Sequence, residues 1–315
     1  MTETASPTSA TADDESVRGF MFAFSAYFIW GLLPFFMKAV AHIPATEIVA
    51  HRVVWSVPLA GIVLLVLRRT GDIKRAFSSP RTLVMATLTA TVISLNWGVY
   101  VWAIAADRAV ETALGYYINP LVSIALAAVF LRERLGALQI SAVGLAAIAV
   151  VILTVDAGGL PWVSLVLALA FATYGFLRKT LPIGPSQGFF LEVLILSLPA
   201  LPYIGWLAWT GQGHFRMSEP GDIGLLLACG PITAIPLMFY AFGAKLLRYS
   251  TIGIMQYIAP TMIFLVAVFI FKEPFSGVRA FAFVLIWSAL IIYTWPMLRA
   301  HYVASKAVDD RSIPG

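Results

Sequence analysis

The run at residues 251–271, TIGIMQYIAPTMIFLVAVFIF, holds no charged side chain. About 20 apolar residues at ~1.5 Å rise per residue reach across a bilayer's hydrocarbon core. Runs of the same kind lie at 19–40, 82–105 and 111–131. Inside hydrocarbon every backbone N–H and C=O must be bonded within the protein, which leaves helices or a closed barrel. The residue-by-residue alternation of a barrel strand is missing, so helices are predicted. With 12% charged residues, against roughly 25% in soluble domains, the chain lacks the polar surface of a water-soluble fold. The sequence predicts an all-α integral membrane protein with about ten spans, at 19–40, 46–67, 82–105, 110–131, 137–155, 162–181, 187–209, 223–243, 250–271 and 277–298.

Most connections are a few residues long, and the longest, 68–81 and 210–222, are ordinary linkers with no room for an extramembrane catalytic domain. Fifteen of the 21 Lys and Arg residues fall on the side that carries both termini, and six on the other. That bias predicts ten spans in the cytoplasmic (inner) membrane with both termini in the cytoplasm. The net charge of +5 is thereby explained by topology, and nucleic acid is not an expected partner. Residues 1–17, rich in Ala, Ser and Thr with Glu3, Asp13, Asp14 and Glu15, read as a disordered tail. A cleaved signal peptide would begin with positive charge instead. Cys229 is the only cysteine, so neither an internal disulfide nor a Cys-based metal site is available.

The chain resembles itself at a separation of 140 residues. Tyr100, Arg108, Tyr117, Ile118, Pro120, Ala127 and Glu133 return without a gap as Tyr240, Arg248, Tyr257, Ile258, Pro260, Ala267 and Glu273. A weaker echo joins Trp30-Gly31 to Tyr174-Gly175. The repeat divides the chain into 18–156 and 157–299, followed by a second cytoplasmic tail at 300–315. Five helices per half is an odd number, so the halves would lie in the membrane with opposite orientation. Inverted repeats of this kind build two access states around a midplane site in many secondary transporters.

Several segments resemble a known family. The five-plus-five repeat, with NPLVSIALAAVFLRERLG followed by GALQISAVGLAAIAVVIL, is similar to the EamA branch of the drug/metabolite transporter superfamily. YFIWGLLPFFMK, EIVAHRVVWS, NWGVYVWA, ALGYYINPL and STIGIMQYIAPT resemble its RarD subgroup of drug permeases. The resemblance covers about residues 18–300. It implies a central cavity between spans 1–4 and 6–9, with spans 5 and 10 peripheral, and a small-molecule substrate of a class the superfamily leaves wide.

Polar groups inside a span are costly and mark candidate sites. Glu47 and His51, four apart on one helix face, precede Arg52. Arg52 would either bind an anionic group or reach outward along its long stem. His51 would titrate near neutral pH. Glu47 would pair with a nearby lysine. In the fourth span Tyr117 and Asn119 precede Pro120, and in the ninth Gln256 and Tyr257 precede Pro260. Two proline-interrupted helices at matching positions point to a transport site, although such prolines also serve packing alone. Trp30 and Asn96 sit deep enough to join an aromatic wall, with Trp97 and Tyr100 nearby. Glu192 reads as a surface residue, and Glu133 and Glu273 as helix-end partners.

Neither GxxxxGK[ST] nor HExxH occurs, so ATP drive and zinc-hydrolase chemistry are unsupported and no cofactor is expected. The expected partners are a small-molecule substrate and membrane lipid. Small-residue runs such as AVGLAAIAV would let helices approach closely, and a homodimer is one use for them. The prediction is a secondary-active permease. A membrane-embedded enzyme acting on lipid-linked or amphipathic substrates is the alternative, with Glu47 and His51 as its nearest approach to an acid–base pair.

Overall fold

The structure, a computed structural model, describes residues 10–106, 108–160, 162–270, 272 and 276–309. Ten helical stretches are long and apolar enough to cross a membrane. The first span is bent. Helix α1 (Ala10–Gly31) gives way at Leu32 to α2 (Leu33–Ala39). Pro34 has no N–H to offer the Trp30 carbonyl four residues back, which accounts for the break. Helix α1 starts within the segment that the sequence assigns to a tail, and residues 1–9 lie outside the described residues.

The chain continues through α3 (Ala45–Val66), α4 (Thr70–Phe77), α5 (Pro80–Ala105), α6 (Ala109–Phe130) and α7 (Ala137–Asp156). It returns as α8 (Trp162–Thr180), α9 (Pro185–Thr210), α10 (Pro220–Leu246), α11 (Tyr249–Met255) and α12 (Ile258–Leu265). A π-helical turn, Val266–Ile270, ends that span, and α13 (Gly277–Asp309) is the last helix, running into the segment read as the second tail. Helix α4 occupies most of the connector at 68–81. Ile73, Ala76 and Phe77 recur at helical spacing, and Ala76 is buried with Ala86 and Leu191.

The two halves of the chain interleave. Helix α1 packs on α10, α6 on α8, α3 on both α9 and α10, and α5 on α8 and α9. Helix α11 lies on α6 and α12 on α1, while α7 and α13 pack against each other. Leu198, Ile148, Val151 and Ile291 are exposed, as lipid-facing side chains should be. Helices α8 and α10 end side by side, and each donates a lysine to the other's last carbonyls. Lys179 Nζ reaches Ala244 O at 3.0 Å, and Lys245 Nζ reaches Lys179 O at 2.9 Å. The positive charge suits the carbonyl-rich end of a helix.

Glu133 caps the start of α11, accepting from Tyr249 N at 2.7 Å and Ser250 Oγ at 2.6 Å. That is the helix-end role read from the sequence, while Glu273 lies outside the described residues. Glu192 corrects its prediction. It is 2% exposed and pairs with buried Arg178 at 3.2 Å, with Tyr174 Oη donating at 3.1 Å. A carboxylate in this interior needs such a partner, and the sequence offered no view of α8 and α9 lying together.

Candidate functional site

A cavity of about 330 Å³ lies among α1, α2, α3, α5, α6, α8, α10 and α12. That is the low end of the roughly 300–1,000 Å³ found for small-molecule sites. It reaches Met37 in the last turn of α2 and Thr112 in the first turn of α6, on the side away from the termini.

Seven of the ten residues selected from the sequence line it: Trp30, Arg52, Asn96, Tyr117, Asn119, Gln256 and Pro260. Trp97 and Tyr100 lie beside them. Arg52 projects from α3 and donates Nε–H to Thr233 Oγ1 on α10 at 2.8 Å. Its guanidinium lies over the Trp97 ring, 5.3 Å from the centroid. Asn96 donates from Nδ2 to the Leu167 carbonyl at 3.1 Å, tying α5 to α8.

Asn119 and Gln256 meet across the two halves, with Asn119 Nδ2 donating to Gln256 Oε1 at 2.5 Å. Gln256 Nε2 in turn donates to Ser123 Oγ at 3.2 Å. Gln256 occupies the gap between α11 and α12. Pro260 cannot bond the Gln256 carbonyl, so the helix parts at that residue and turns its side chain toward α6.

Three selected residues sit elsewhere. Pro120 lies inside α6, which runs unbroken where the sequence predicted an interruption. Pro120 leaves the Tyr116 carbonyl, four residues back, without its helical donor, yet the helix stays closed around it. Tyr257 Oη bonds the Tyr117 carbonyl at 3.2 Å. Tyr257 is fully buried on that contact rather than on the cavity wall. His51 also lies off the lining. Its Nδ1 accepts from Trp55 Nε1 at 3.0 Å, and its ring stacks on Phe215 at 5.4 Å. Glu47 is likewise turned away, accepting from His214 N at 2.7 Å and lying 2.8 Å from His214 Nδ1. The connector before α10 thus supplies a partner that the sequence reading sought in a lysine.

The side of the cavity nearer the termini is walled by tyrosines. Tyr27 meets Tyr240 edge-on at 6.2 Å, and Tyr240 stacks on Tyr174 at 6.4 Å. Tyr249 Oη bonds the Ala172 carbonyl at 2.6 Å, and Tyr27 Oη the Ile252 carbonyl at 3.3 Å. All four rings are at most 2% exposed. Gly175 makes room for this layer, because a Cβ there would lie 1.9 Å from Tyr240 Oη. Sequence reasoning missed Tyr27 and Phe171, which also line the cavity. Each stands three residues before a member of the Trp30/Tyr174 echo, so extending that echo by one turn would have found both.

Comparison with known proteins agrees with this architecture. Residues 17–155 match the model of the EamA-like transporter family. Protein RarD of Streptomyces exfoliatus is 44% identical over 288 residues, covering 91% of each chain. An uncharacterized transporter of Vibrio cholerae is 38% identical over 93% of this chain and 97% of its own. The chloramphenicol-sensitive protein RarD of Pseudomonas aeruginosa is 32% identical over 90% of this chain and 96% of its own. A solved crystal structure shares the fold with a TM-score of 0.67 at 20% identity, covering 88% of this chain and 97% of that one. Ten apolar helices, a cavity at their centre and relatives matched nearly end to end make this chain a multi-pass membrane transporter that belongs to the EamA-like family, among its RarD-like permeases.

Proposed function

We propose that the protein is a secondary-active carrier that moves small organic molecules, drugs or metabolites, by alternating access around the central cavity. In this reading it sits in the cytoplasmic membrane with both termini inside. The observation that carries it is the one-sided closure of the cavity. The tyrosine layer blocks the path toward the termini, while the cavity extends to the last turn of α2 and the first turn of α6.

Two features support an inverted repeat as the machinery. Exchanging each span for the one five places along turns the α1–α10 contact into α8–α5, α6–α8 into α12–α1, and α3–α10 into α9–α5, all of which occur. Arg132 and Lys272, 140 residues apart, both take left-handed backbone angles, with φ of 53° and 57°, where the fourth and ninth spans end. Two halves related in this way can trade conformations and so expose the site first on one face and then on the other.

The test is flux into proteoliposomes for a panel of labelled amino acids, organic cations and amphenicols, with and without an imposed proton gradient. The amphenicols belong in the panel because one relative bears chloramphenicol sensitivity in its name. Saturable, gradient-sensitive uptake of any member supports the carrier. Non-saturating flux through folded protein points to a channel, and chemical conversion of a panel member would replace the carrier with an enzyme. Epitope tags on the termini, probed from outside intact cells, check the orientation.

A further inference from the structure

The cavity wall carries a single formal charge. Among the described lining residues Arg52 is the only Arg or Lys, and no Asp, Glu or His joins it. No carboxylate among the described residues forms an ion pair with Arg52. Arg178, the other arginine inside the bundle, behaves differently and is neutralised by Glu192 at 3.2 Å. Arg52 has only a hydroxyl, Thr233 Oγ1, on Nε and the face of Trp97 beneath it. A guanidinium held within the bilayer's thickness without a counter-ion is costly. Its fork of N–H donors matches a carboxylate or a similar oxyanion. Beside it the wall is aromatic, with Trp30 and Phe171 edge-to-face at 6.0 Å and Tyr100 and Tyr116 at 6.2 Å. Such rings suit a flat apolar body.

We propose that the cavity takes an organic monoanion, in its simplest form a carboxylate on a one- or two-ring apolar body, with the oxyanion on Arg52 and the rings among Trp30, Trp97 and Phe171. The proposal deepens the carrier reading and rests on it for its physiological meaning, while the binding it describes stands independently. Cations are disfavoured because an ammonium would share the cavity with Arg52 and meet no acid. Zwitterions carry the same penalty on one of their two charges. At about 330 Å³ the space suits a molecule of this size.

The experiment uses the purified full-length protein in detergent and equilibrium binding of labelled indole-3-acetate. Competitors of nearly the same shape are indole-3-acetamide, tryptamine and tryptophan, with phosphatidylglycerol as a lipid oxyanion. The expected result is that the acetate binds at least ~10-fold more tightly than the amide, tryptamine or tryptophan, the size of one charge-assisted hydrogen bond. Arg52→Gln should make acetate and amide equal, and Arg52→Lys should keep part of the preference, which separates charge from folding. Equal binding of acetate and amide to the unaltered protein overturns the proposal. So does the absence of indole-3-acetate binding when phosphatidylglycerol raises the melting temperature of the unaltered protein and not of Arg52→Gln, which would assign Arg52 to a lipid headgroup. Counterflow in proteoliposomes separates the two readings. Acetate-selective binding without counterflow of any compound leaves the site standing and removes the carrier. Counterflow of a neutral or cationic compound with no acetate preference does the reverse.

Discussion

Glu47 and Arg52 stand five positions apart on α3 and meet different surroundings. Arg52 faces the cavity, whereas Glu47, 1% exposed, closes on the connector through His214. Glu47→Ala would leave a backbone N–H and a ring nitrogen without their acceptor, a loss of about 1–3 kcal/mol. The expected outcome is faster amide exchange at residues 211–219, measured by mass spectrometry, with ligand affinity at Arg52 unchanged. If affinity falls in parallel, Glu47 belongs to the site after all. Arg52, Asn119 and Gln256 were legible as candidates because a polar side chain inside an apolar run announces its own cost. His51 was selected by the same rule and lies elsewhere. Its partners, Trp55 one turn on and Phe215 from a distant connector, are set by helix packing that sequence spacing does not encode.

At the scale of elements, the ten spans were readable from the length of the apolar runs alone, and their ends fall within three residues of the membrane-spanning stretches, although α1 begins earlier, at Ala10, and α13 runs on to Asp309. Breaks within spans were less readable. A proline marks where a backbone bond is lost, but whether the helix parts there depends on how the neighbouring residues are held. At Pro120 α6 continues, with the Tyr257 hydroxyl from the other half bonded to the adjacent Tyr117 carbonyl. At Pro260 the helix opens. Glycines show the same dependence on context. At Gly175 a Cβ would collide with Tyr240 and Tyr249 hydroxyls at 1.9 and 2.4 Å, whereas at Gly144 on α7 nothing lies within 4 Å. Gly175→Ala is therefore expected to destabilise the protein by roughly 1–3 kcal/mol through the displaced tyrosine layer. Gly144→Ala should be neutral or stabilising by up to about 1 kcal/mol, since a helical glycine is replaced without a clash. Thermal denaturation in detergent separates them, and equal shifts would mean that the tyrosine layer yields freely.

For the whole molecule the informative feature is a difference between halves whose sequences match. The ninth span is broken at Gln256 and the fourth is continuous through Pro120, although both prolines occupy the same place in the 140-residue repeat. If the halves trade conformations during transport, the fourth span should open near Tyr116 as the ninth closes. The bond from Tyr257 Oη to the Tyr117 carbonyl opposes that exchange. Tyr257→Phe removes the bond, worth about 0.5–1.5 kcal/mol, and should shift the population toward the state open to the termini by roughly 2- to 10-fold. Two single-cysteine reporters in a Cys229→Ala background read this out. Ala113→Cys lines the cavity, and Ala172→Cys lies in the tyrosine layer at 0% exposure. Thiol labelling should be fast at 113 and slow at 172, and Tyr257→Phe should slow the first while speeding the second. The reciprocal change is what separates an exchange of states from a general loosening of the bundle. If both rates rise together, Tyr257 is a structural fastening only, and the proposed exchange of conformations between the halves fails.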